Sequence, residues 1–177
     1  MKTTQILIAG FGGQGVLCAG TFLAYKGLKE DLQVSWLPSY GPEMRGGTAN
    51  CSIVISDTPV GSPIITTPDV LVAMNLPSLL KFVDSVAPGG QIFIDSTLID
   101  AKVERTDVKV HYIPATQIAK NAGFTTLANM VLMGKVMKEC DAVSYEGSRE
   151  TLEAFIPAKK ANLIDVNCQA LQAGYDY

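Results

Sequence analysis

The sequence predicts an α/β domain: a single three-layer unit built on a mostly parallel sheet, with a possible antiparallel hairpin. Two observations support this prediction. Short apolar strands alternate with amphipathic helices along the chain, and a glycine-rich turn joins the first strand to the first helix. The chain has 177 residues, and since domains most often run ~100 to 150 residues we expect residues 1–177 to form one domain. An α+β arrangement, in which the hairpin forms its own edge, is the alternative.

Composition excludes several classes of protein. Hydrophobic residues make up 47% and charged residues 18%, which excludes an intrinsically disordered chain. The net charge of -3, without a basic stripe, argues against a nucleic-acid partner. No apolar run approaches the ~20 residues that cross a bilayer, so we expect a cytoplasmic protein without membrane contact. A mean hydropathy of +0.23 is high for a monomer and suggests that other chains cover part of the surface.

The cysteines argue against a metal centre within this chain. The sequence has four of them, and no two form a C-x-x-C pair: Cys18, Cys51, Cys140 and Cys168. Neither a zinc site nor an iron–sulfur cluster can therefore be built locally. The sequence shows no signal peptide, and we expect reduced thiols rather than disulfides.

The first third of the chain opens with a strand, a glycine loop and a helix. Thr4–Ala9 is nearly continuously apolar, as in a strand buried on both faces. Gln14–Glu30 has helical periodicity, and strands are predicted at Gln33–Leu37 and Asn50–Ser56, where apolar and polar residues alternate. A turn at Asp57 leads into an extended stretch to Ile65, which we interpret as a possible hairpin.

In the rest of the chain, strands and helices continue to alternate. The predicted strands are Asp69–Met74, Gln91–Asp95 and Val108–Ile113. The predicted helices are Pro77–Val86, Ala115–Ala122 and Leu127–Cys140, followed by a final amphipathic helix that starts at Pro157 and ends at Gly174.

The glycine loop is the first candidate site. The run Gly10-Phe11-Gly12-Gly13-Gln14-Gly15 fits G-x-G-x-x-G between a strand and a helix, which is a Rossmann-like start. The carboxylate expected about 20 residues later to hold a ribose is missing, because that region contains only Val34-Ser35-Trp36-Leu37-Pro38. Three interpretations stay open: close packing of the helix on the sheet, binding of a phosphate or nucleotide, or contact with another subunit.

The second candidate site is the segment Pro38–Cys51. Its glycines and prolines fix the backbone, so the loop presents an aromatic ring, an acid, a methionine and a guanidinium. It suits an anion bound by Arg45, a protein docked through Tyr40, Met44 and Arg45, or an internal Glu43–Arg45 contact. As candidates for a subunit interface or an approach to an active site we take Ser39, Tyr40, Gly41, Pro42, Glu43, Met44, Arg45, Gly46, Gly47 and, at the end of a later strand, Asn75.

Four motifs resemble a known family in order along the chain. They are GFGGQGVLCAG (Gly10–Gly20), PSYGPEMRGGTANC (Pro38–Cys51), SP with PDVLVAMN (Ser62-Pro63 and Pro68–Asn75), and LANMVLMGK (Leu127–Lys135). Together with the C-terminal helix they resemble the gamma subunit of the 2-oxoacid:ferredoxin oxidoreductases. The central motif is most similar to gamma subunits of 2-oxoglutarate and branched-chain 2-oxoacid (ketoisovalerate) enzymes.

The resemblance implies a subunit of an enzyme that oxidatively decarboxylates a 2-oxoacid, with 2-oxoglutarate the first candidate, to an acyl-CoA while electrons pass to ferredoxin. It implies that the alpha and beta subunits bind thiamine diphosphate and Mg²⁺ and that the iron–sulfur clusters lie outside this chain. A ferredoxin-like delta subunit is a possible further partner. Coenzyme A would be the acyl acceptor. This chain would complete the assembly, hold no catalytic residue and be inactive alone, with a homodimer possible in isolation. The alternatives are a stand-alone NAD(P)-binding oxidoreductase and a small anion-binding regulatory domain.

Overall fold

A computed structural model describes residues 2–39 and 48–177. The strands are β1 (Thr3–Phe11), β2 (Gln33–Ser39), β3 (Thr48–Ser56), β4 (Val70–Ala73), β5 (Gln91–Asp95) and β6 (Lys109–Ile113). The helices are α1 (Val16–Lys29), α2 (Leu76–Phe82), α3 (Ala115–Asn121), α4 (Ala128–Glu139), α5 (Ser148–Phe155) and α6 (Asn162–Asp176). Among the described residues, no helix is long and apolar enough to cross a membrane.

All six strands belong to one sheet, in the order β2-β3-β1-β4-β5-β6. The strands β1, β4, β5 and β6, which are consecutive in the sheet, are all parallel to their neighbours in this group. Strand β3 is antiparallel to both β1 and β2. Since β3 opposes both neighbours, β1 and β2 run in the same direction with β3 inserted between them. The predicted α/β class, with a mostly parallel sheet and an antiparallel part, is confirmed.

The antiparallel strands lie elsewhere than we expected. Residues 57–69 contain no strand, so the hairpin predicted from Asp57 to Ile65 is wrong. The hairpin partners are instead β2 and β3, which pair from Gln33 opposite Ser56 to Ser39 opposite Asn50. The prolines of the 57–69 region explain the difference, because proline cannot donate a hydrogen bond to a neighbouring strand.

Apolar cores lie on both faces of the sheet, which gives the three predicted layers. The larger core includes Phe22 of α1, Met130 of α4 and Leu171 of α6, packed on strand residues such as Ile53. The smaller core packs Leu79 of α2 and Ile99 of the loop after β5 against the opposite face. At this size the two cores can stabilise the fold without a metal or a disulfide.

The C-terminal region differs from its prediction in three ways. The sequence did not predict α5, which begins after Gly147 in a left-handed conformation (φ 75°) and packs on α1, where the Phe155 ring centroid lies 5.6 Å from that of Tyr25. Pro157 introduces a short 3₁₀ turn before α6. Gly174 does not end the final helix, which continues to Asp176. With only eight residues, α5 is too short to be stable in isolation and depends on its packing.

Gly174 has a packing role instead. A Cβ atom at Gly174 would overlap the carbonyl oxygen of Val131, and one at Gly134 would overlap that of Leu171. Helices α4 and α6 therefore approach each other through two facing glycines. Neither helix backbone can give way as a flexible side chain would.

We expect Gly174→Ala to lower the free energy of unfolding by about 1–3 kcal/mol, because α4 and α6 must separate to accept the methyl group. Urea unfolding followed by circular dichroism measures this change. Gly61→Ala is the matched control, since Gly61 has no atom within 4 Å of its Cβ position. Equal stability of the two variants would contradict the close approach of the helices.

The pH dependence of the free energy of unfolding should reflect the protonation of His111. Its ring stacks on Phe93 with centroids 4.4 Å apart, and its Nε2 lies 2.8 Å from Gln91 Oε1. Burial lowers the pKa of His111 from 6.5 to about 4. In this interval the unfolded chain binds a proton that the folded chain does not, so stability falls as pH falls from 6.5 toward 4.

We expect His111→Phe, which keeps a ring over Phe93, to remove most of that pH dependence near pH 6.5, where acidic side chains do not yet titrate. Urea midpoints measured across the interval provide the test. An unchanged slope in the variant would show that His111 is not the responsible group.

Candidate functional site

The candidate site lies where β1, β4 and β5 end. These strands are parallel neighbours, so their carboxyl ends share one edge of the sheet, which we call the carboxyl edge. The glycine loop leaves β1 there, and Asn75 follows β4 at the same edge. This is where open α/β sheets place their ligands and contacts.

Gln14 holds the glycine loop to the sheet. Its Oε1 accepts a hydrogen bond of 2.6 Å from the Phe11 backbone N–H, and its Nε2 donates one of 2.9 Å to the Met74 carbonyl. A Cβ atom at Gly10 would lie 2.7 Å from Gln14 Oε1 and 2.9 Å from Met74 Cβ. Gly10 therefore makes room for the side chain that joins β1 to the end of β4.

Gly15 meets a residue that the sequence did not single out. It precedes α1 in a left-handed conformation (φ 77°), and Asn129 of α4 donates a hydrogen bond of 3.1 Å from Nδ2 to its carbonyl. A Cβ atom at Gly15 would lie 2.9 Å from Asn129 Cγ. Asn129 belongs to the quoted LANMVLMGK motif, but only the fold brings it to the glycine loop.

Strand β3 occupies the place of the second strand of a dinucleotide-binding fold. In such folds the strand that carries the ribose-binding acid lies directly beside the first strand. Here the neighbour is β3, whose Thr48 and Ala49 pair with Phe11 and Gly10, while β2 lies one position further out. The backbone entering β3 fills the space next to the glycine loop, so the geometry does not favour a stand-alone NAD(P)-binding enzyme.

Three buried polar atoms at this edge have no hydrogen-bond partner among the described residues: Asn75 Nδ2, Ser78 Oγ and Asn129 Oδ1. The Asn75 side chain caps α2 by accepting a 2.8 Å hydrogen bond from the Ser78 backbone N–H, which uses only its oxygen. A buried polar group without a partner costs about 1–3 kcal/mol. All three atoms are shielded from solvent, so a further group would reach them only after a local rearrangement of this edge.

Apolar side chains form an exposed row along the same edge. Phe11 ends β1, Leu76 follows β4 and Leu98 follows β5, and all three are exposed. Leu80 of α2 adds a side chain that is 64% exposed. We call these four residues the apolar row. Next to it, a cavity of about 240 Å³ is lined by residues of the glycine loop and the first turn of α1.

The described side chains at this edge offer little independent chemistry. Burial raises the pKa of Cys51 to about 12, so its thiol is protonated at neutral pH. The buried carboxylate of Asp95 accepts hydrogen bonds from the Thr97 and Thr116 backbone N–H groups and from the Thr116 hydroxyl, which connects the end of β5 to α3. Within residues 2–39 and 48–177, no group of three or more His, Cys, Asp or Glu residues could hold a metal ion.

The predicted site residues are only partly brought together. Residues 40–47, which include Tyr40, Glu43, Met44 and Arg45, lie outside the described residues. Ser39 is exposed at the end of β2, opposite Asn50, whereas Thr48 re-enters the sheet beside Phe11. Gly12, Gly13 and Gln14 share the carboxyl edge with Asn75.

Two substitutions in the glycine loop should separate backbone strain from side-chain contact. Gly13 and Gly15 both have positive φ, but only Gly15 faces a neighbour, Asn129. We expect Gly13→Ala to cost roughly 1–2 kcal/mol of unfolding free energy from strain alone, and Gly15→Ala to cost clearly more. Denaturant unfolding of both variants tests this difference, and equal costs would mean that Asn129 does not restrict the loop.

Comparison with known proteins gives close relatives. The ketoisovalerate oxidoreductase subunit VorA of Methanothermobacter thermautotrophicus is 45% identical over 174 residues, covering 98% of this chain and 36% of that protein. The 2-oxoglutarate synthase subunit KorC of the same organism is 36% identical, covering 96% of this chain and 92% of that protein. The chain thus spans about a third of the length of VorA and nearly all of KorC.

A solved structure has the same fold. The gamma subunit of a keto/oxoacid ferredoxin oxidoreductase from Geobacter sulfurreducens matches with a TM-score of 0.81 and 26% identity, covering 98% of this chain and 96% of that one. The family model described as pyruvate ferredoxin/flavodoxin oxidoreductase matches residues 5–177. The chain therefore belongs to the pyruvate ferredoxin/flavodoxin oxidoreductase family.

Proposed function

We propose that this chain is the gamma subunit of a multisubunit 2-oxoacid:ferredoxin oxidoreductase. In this enzyme a 2-oxoacid is oxidatively decarboxylated to an acyl-CoA, and the electrons pass to ferredoxin. The observation that carries the proposal is the combination, at one edge of the sheet, of the apolar row with buried polar atoms that have no partner among the described residues. Such an edge is suited to a contact with another protein.

The partners in this proposal are alpha and beta subunits, with a ferredoxin-like delta subunit as a possible fourth chain. Each side chain of the apolar row is 40–64% exposed, so covering one contributes roughly 0.5–2 kcal/mol. The Asn75 amide and the Ser78 hydroxyl lie directly beneath this contact, since Asn75 caps α2 and Ser78 is in its first turn. Both residues are buried.

The site residues support a role in shaping the approach to the active site. The segment from Ser39 to Gly47 is followed by Thr48, which pairs with Phe11 next to the glycine loop. We infer that this segment and the glycine loop face the partner subunits together. Gln14 and Asn129 hold the loop in place, so its backbone N–H groups keep a fixed direction, whether they meet a phosphate or a protein surface.

In this assignment the cofactors belong to the other subunits. Thiamine diphosphate, Mg²⁺ and the iron–sulfur clusters are held there, and coenzyme A enters the complex as the acyl acceptor. The cysteines of this chain do not fit a cluster. Cys51 is buried on β3, Cys140 is buried just after α4, and Cys18 is exposed on α1, whereas a cluster needs several converging thiolates.

The relatives suggest two substrates. VorA is named for ketoisovalerate and KorC for 2-oxoglutarate, and we propose a 2-oxoacid of one of these two kinds for the complex. Ferredoxin is the proposed electron acceptor and the cytoplasm the proposed location. We propose that side chains of the partner subunits select the substrate.

Assembly tests the proposal directly. We expect Leu80→Asp to weaken binding to co-expressed alpha and beta subunits at least ~10-fold, about 1.4 kcal/mol, because a carboxylate would be buried in an apolar contact. Affinity capture of the complex and its 2-oxoacid-dependent ferredoxin reduction are the measurements. Leu163→Asp, at an exposed position of α6, is the control and should assemble normally. A wild-type chain that does not co-purify with alpha and beta subunits would contradict the proposed function.

A further inference from the structure

A side-chain amide takes the place of a backbone contact where β1 and β4 end. Ala9 is the last residue of β1 that pairs with β4, opposite Ala73, and the Met74 N–H donates a hydrogen bond of 2.9 Å to the Ala9 carbonyl. In a parallel ladder the next hydrogen bond would run from the Phe11 N–H to the Met74 carbonyl. Instead the Gln14 amide lies between these two groups, accepting from Phe11 at 2.6 Å and donating to Met74 at 2.9 Å. The ladder therefore ends on an inserted amide that holds the two strand ends apart.

The inserted amide lies where the chain changes from one face of the sheet to the other. Helix α1, which follows β1, packs on the larger core, whereas α2, which follows β4, packs on the smaller core of the opposite face. In open α/β sheets, ligands and contacts are found in the crevice between the carboxyl ends of two such strands. Here the Gln14 amide lies in that crevice. Gly10 makes this possible, because a Cβ atom there would lie 2.7 Å from Gln14 Oε1.

The amide also joins two parts of the apolar row. Phe11 pairs with Thr48 of β3 on one side and is bonded to Gln14 on the other, through its backbone N–H. On the β4 side, Met74 lies two residues before Leu76, the first residue of α2. The gap between Phe11 and the start of α2 therefore depends on the inserted amide.

Gln14 provides the contact between the glycine loop and β4. Residues 11–13 are exposed, and Asn129 holds the far end of the loop at Gly15. The Gln14 side chain is partly buried, so water can replace its hydrogen bonds while the chain is free, at little cost to folding. A partner that covers this edge excludes that water and needs the loop in one position. Loss of the amide should therefore weaken assembly more than it lowers the stability of the chain.

We propose that Gln14 is a positioning residue for assembly of the oxidoreductase. Its amide sets the gap between the ends of β1 and β4, and thereby the spacing of Phe11 and Leu76, which the alpha and beta subunits contact. This inference rests on the proposed function, since it concerns the same edge of the sheet. In this role Gln14 touches neither substrate nor cofactor and acts through the placement of the apolar row.

Replacement of the amide by a carboxyl group tests this role. In Gln14→Glu the side chain keeps its shape and its acceptor for the Phe11 N–H, but at pH 7 it is ionised and cannot donate to the Met74 carbonyl. We expect binding to the alpha and beta subunits to weaken roughly 5- to 30-fold, as for one acceptor left without its donor. Competition between a tagged variant chain and the wild-type chain for the same alpha and beta subunits measures this ratio. The urea midpoint of the variant should stay close to that of the wild type.

Acidification should rescue this variant, which general damage to the fold would not allow. Once protonated, the new carboxyl group again donates to the Met74 carbonyl while it accepts from the Phe11 N–H. The ratio of affinities should therefore approach one as pH falls from 7 to 5, with the wild type measured at each pH. Cys18 is the one titratable side chain among the described residues that line the cavity at the glycine loop. Partial burial raises the pKa of its thiol further above this range.

Two further variants complete the experiment. Gln14→Met has a similar length but neither hydrogen bond, so it should weaken assembly at pH 7 and at pH 5 alike. Gln172→Glu is the matched control, because the Gln172 amide of α6 also accepts one hydrogen bond, from the Tyr145 hydroxyl, and donates one, to Asp176. Gln172 lies outside the apolar row, and its variant should assemble like the wild type.

The outcomes separate this inference from the proposed function. Equal affinity of Gln14→Glu and the wild type at pH 7 would overturn the positioning role and leave the proposed function intact. Weak binding that persists at pH 5 would also overturn it, because the hydrogen bonds would then not be the cause. A wild-type chain that binds neither the alpha nor the beta subunit would overturn the proposed function, and the positioning role with it.

Discussion

Nine consecutive residue pairs join β1 to β3, from Thr3 opposite Ser56 to Phe11 opposite Thr48. The rest of the molecule depends on this antiparallel ladder. Because β3 takes the position beside β1, β2 becomes the outer strand, and the crossover through α1 spans an inserted strand. The same ladder places Thr48, the first described residue after the 40–47 segment, opposite Phe11 and next to the glycine loop.

The ladder also changes the meaning of the glycine motif. In a dinucleotide-binding protein, the glycines serve a phosphate and the neighbouring strand holds a ribose. Here Gly10 leaves room for Gln14 and Met74, and Gly15 leaves room for Asn129. The same glycine motif therefore allows close contacts within the chain. These contacts hold the loop in place and leave its outer side available to a partner at the carboxyl edge.

The apolar row contributes to the high mean hydropathy of the chain. It lies at the carboxyl edge, above buried polar atoms that lack partners among the described residues. Its four side chains are exposed although they are apolar, which is typical of a surface that another protein covers.

Local sequence was sufficient to predict most elements. Continuous apolar runs identified β4 and β5, helical periodicity identified α1 and α4, and the ordered motifs carried the resemblance to the family. The helix α5 was missed because it has only eight residues and is stabilised by packing on α1. Gly174 was interpreted as a helix end because glycine commonly ends helices, although its role is the contact with Val131. The roles proposed for Tyr40–Gly47 remain predictions.

The sequence by itself determined the elements that depend on neighbouring residues: strands, helices, the glycine turn and an uncharged β2. Tertiary structure alone decided which strand lies beside β1, that Asn129 restricts Gly15, and that residues 33–36 share a groove with Pro59 and Val60. The physical reason is that strand order and long-range packing join residues far apart in the chain. Their partners are chosen by the shape and hydrogen bonding of the whole sheet, which no local pattern records.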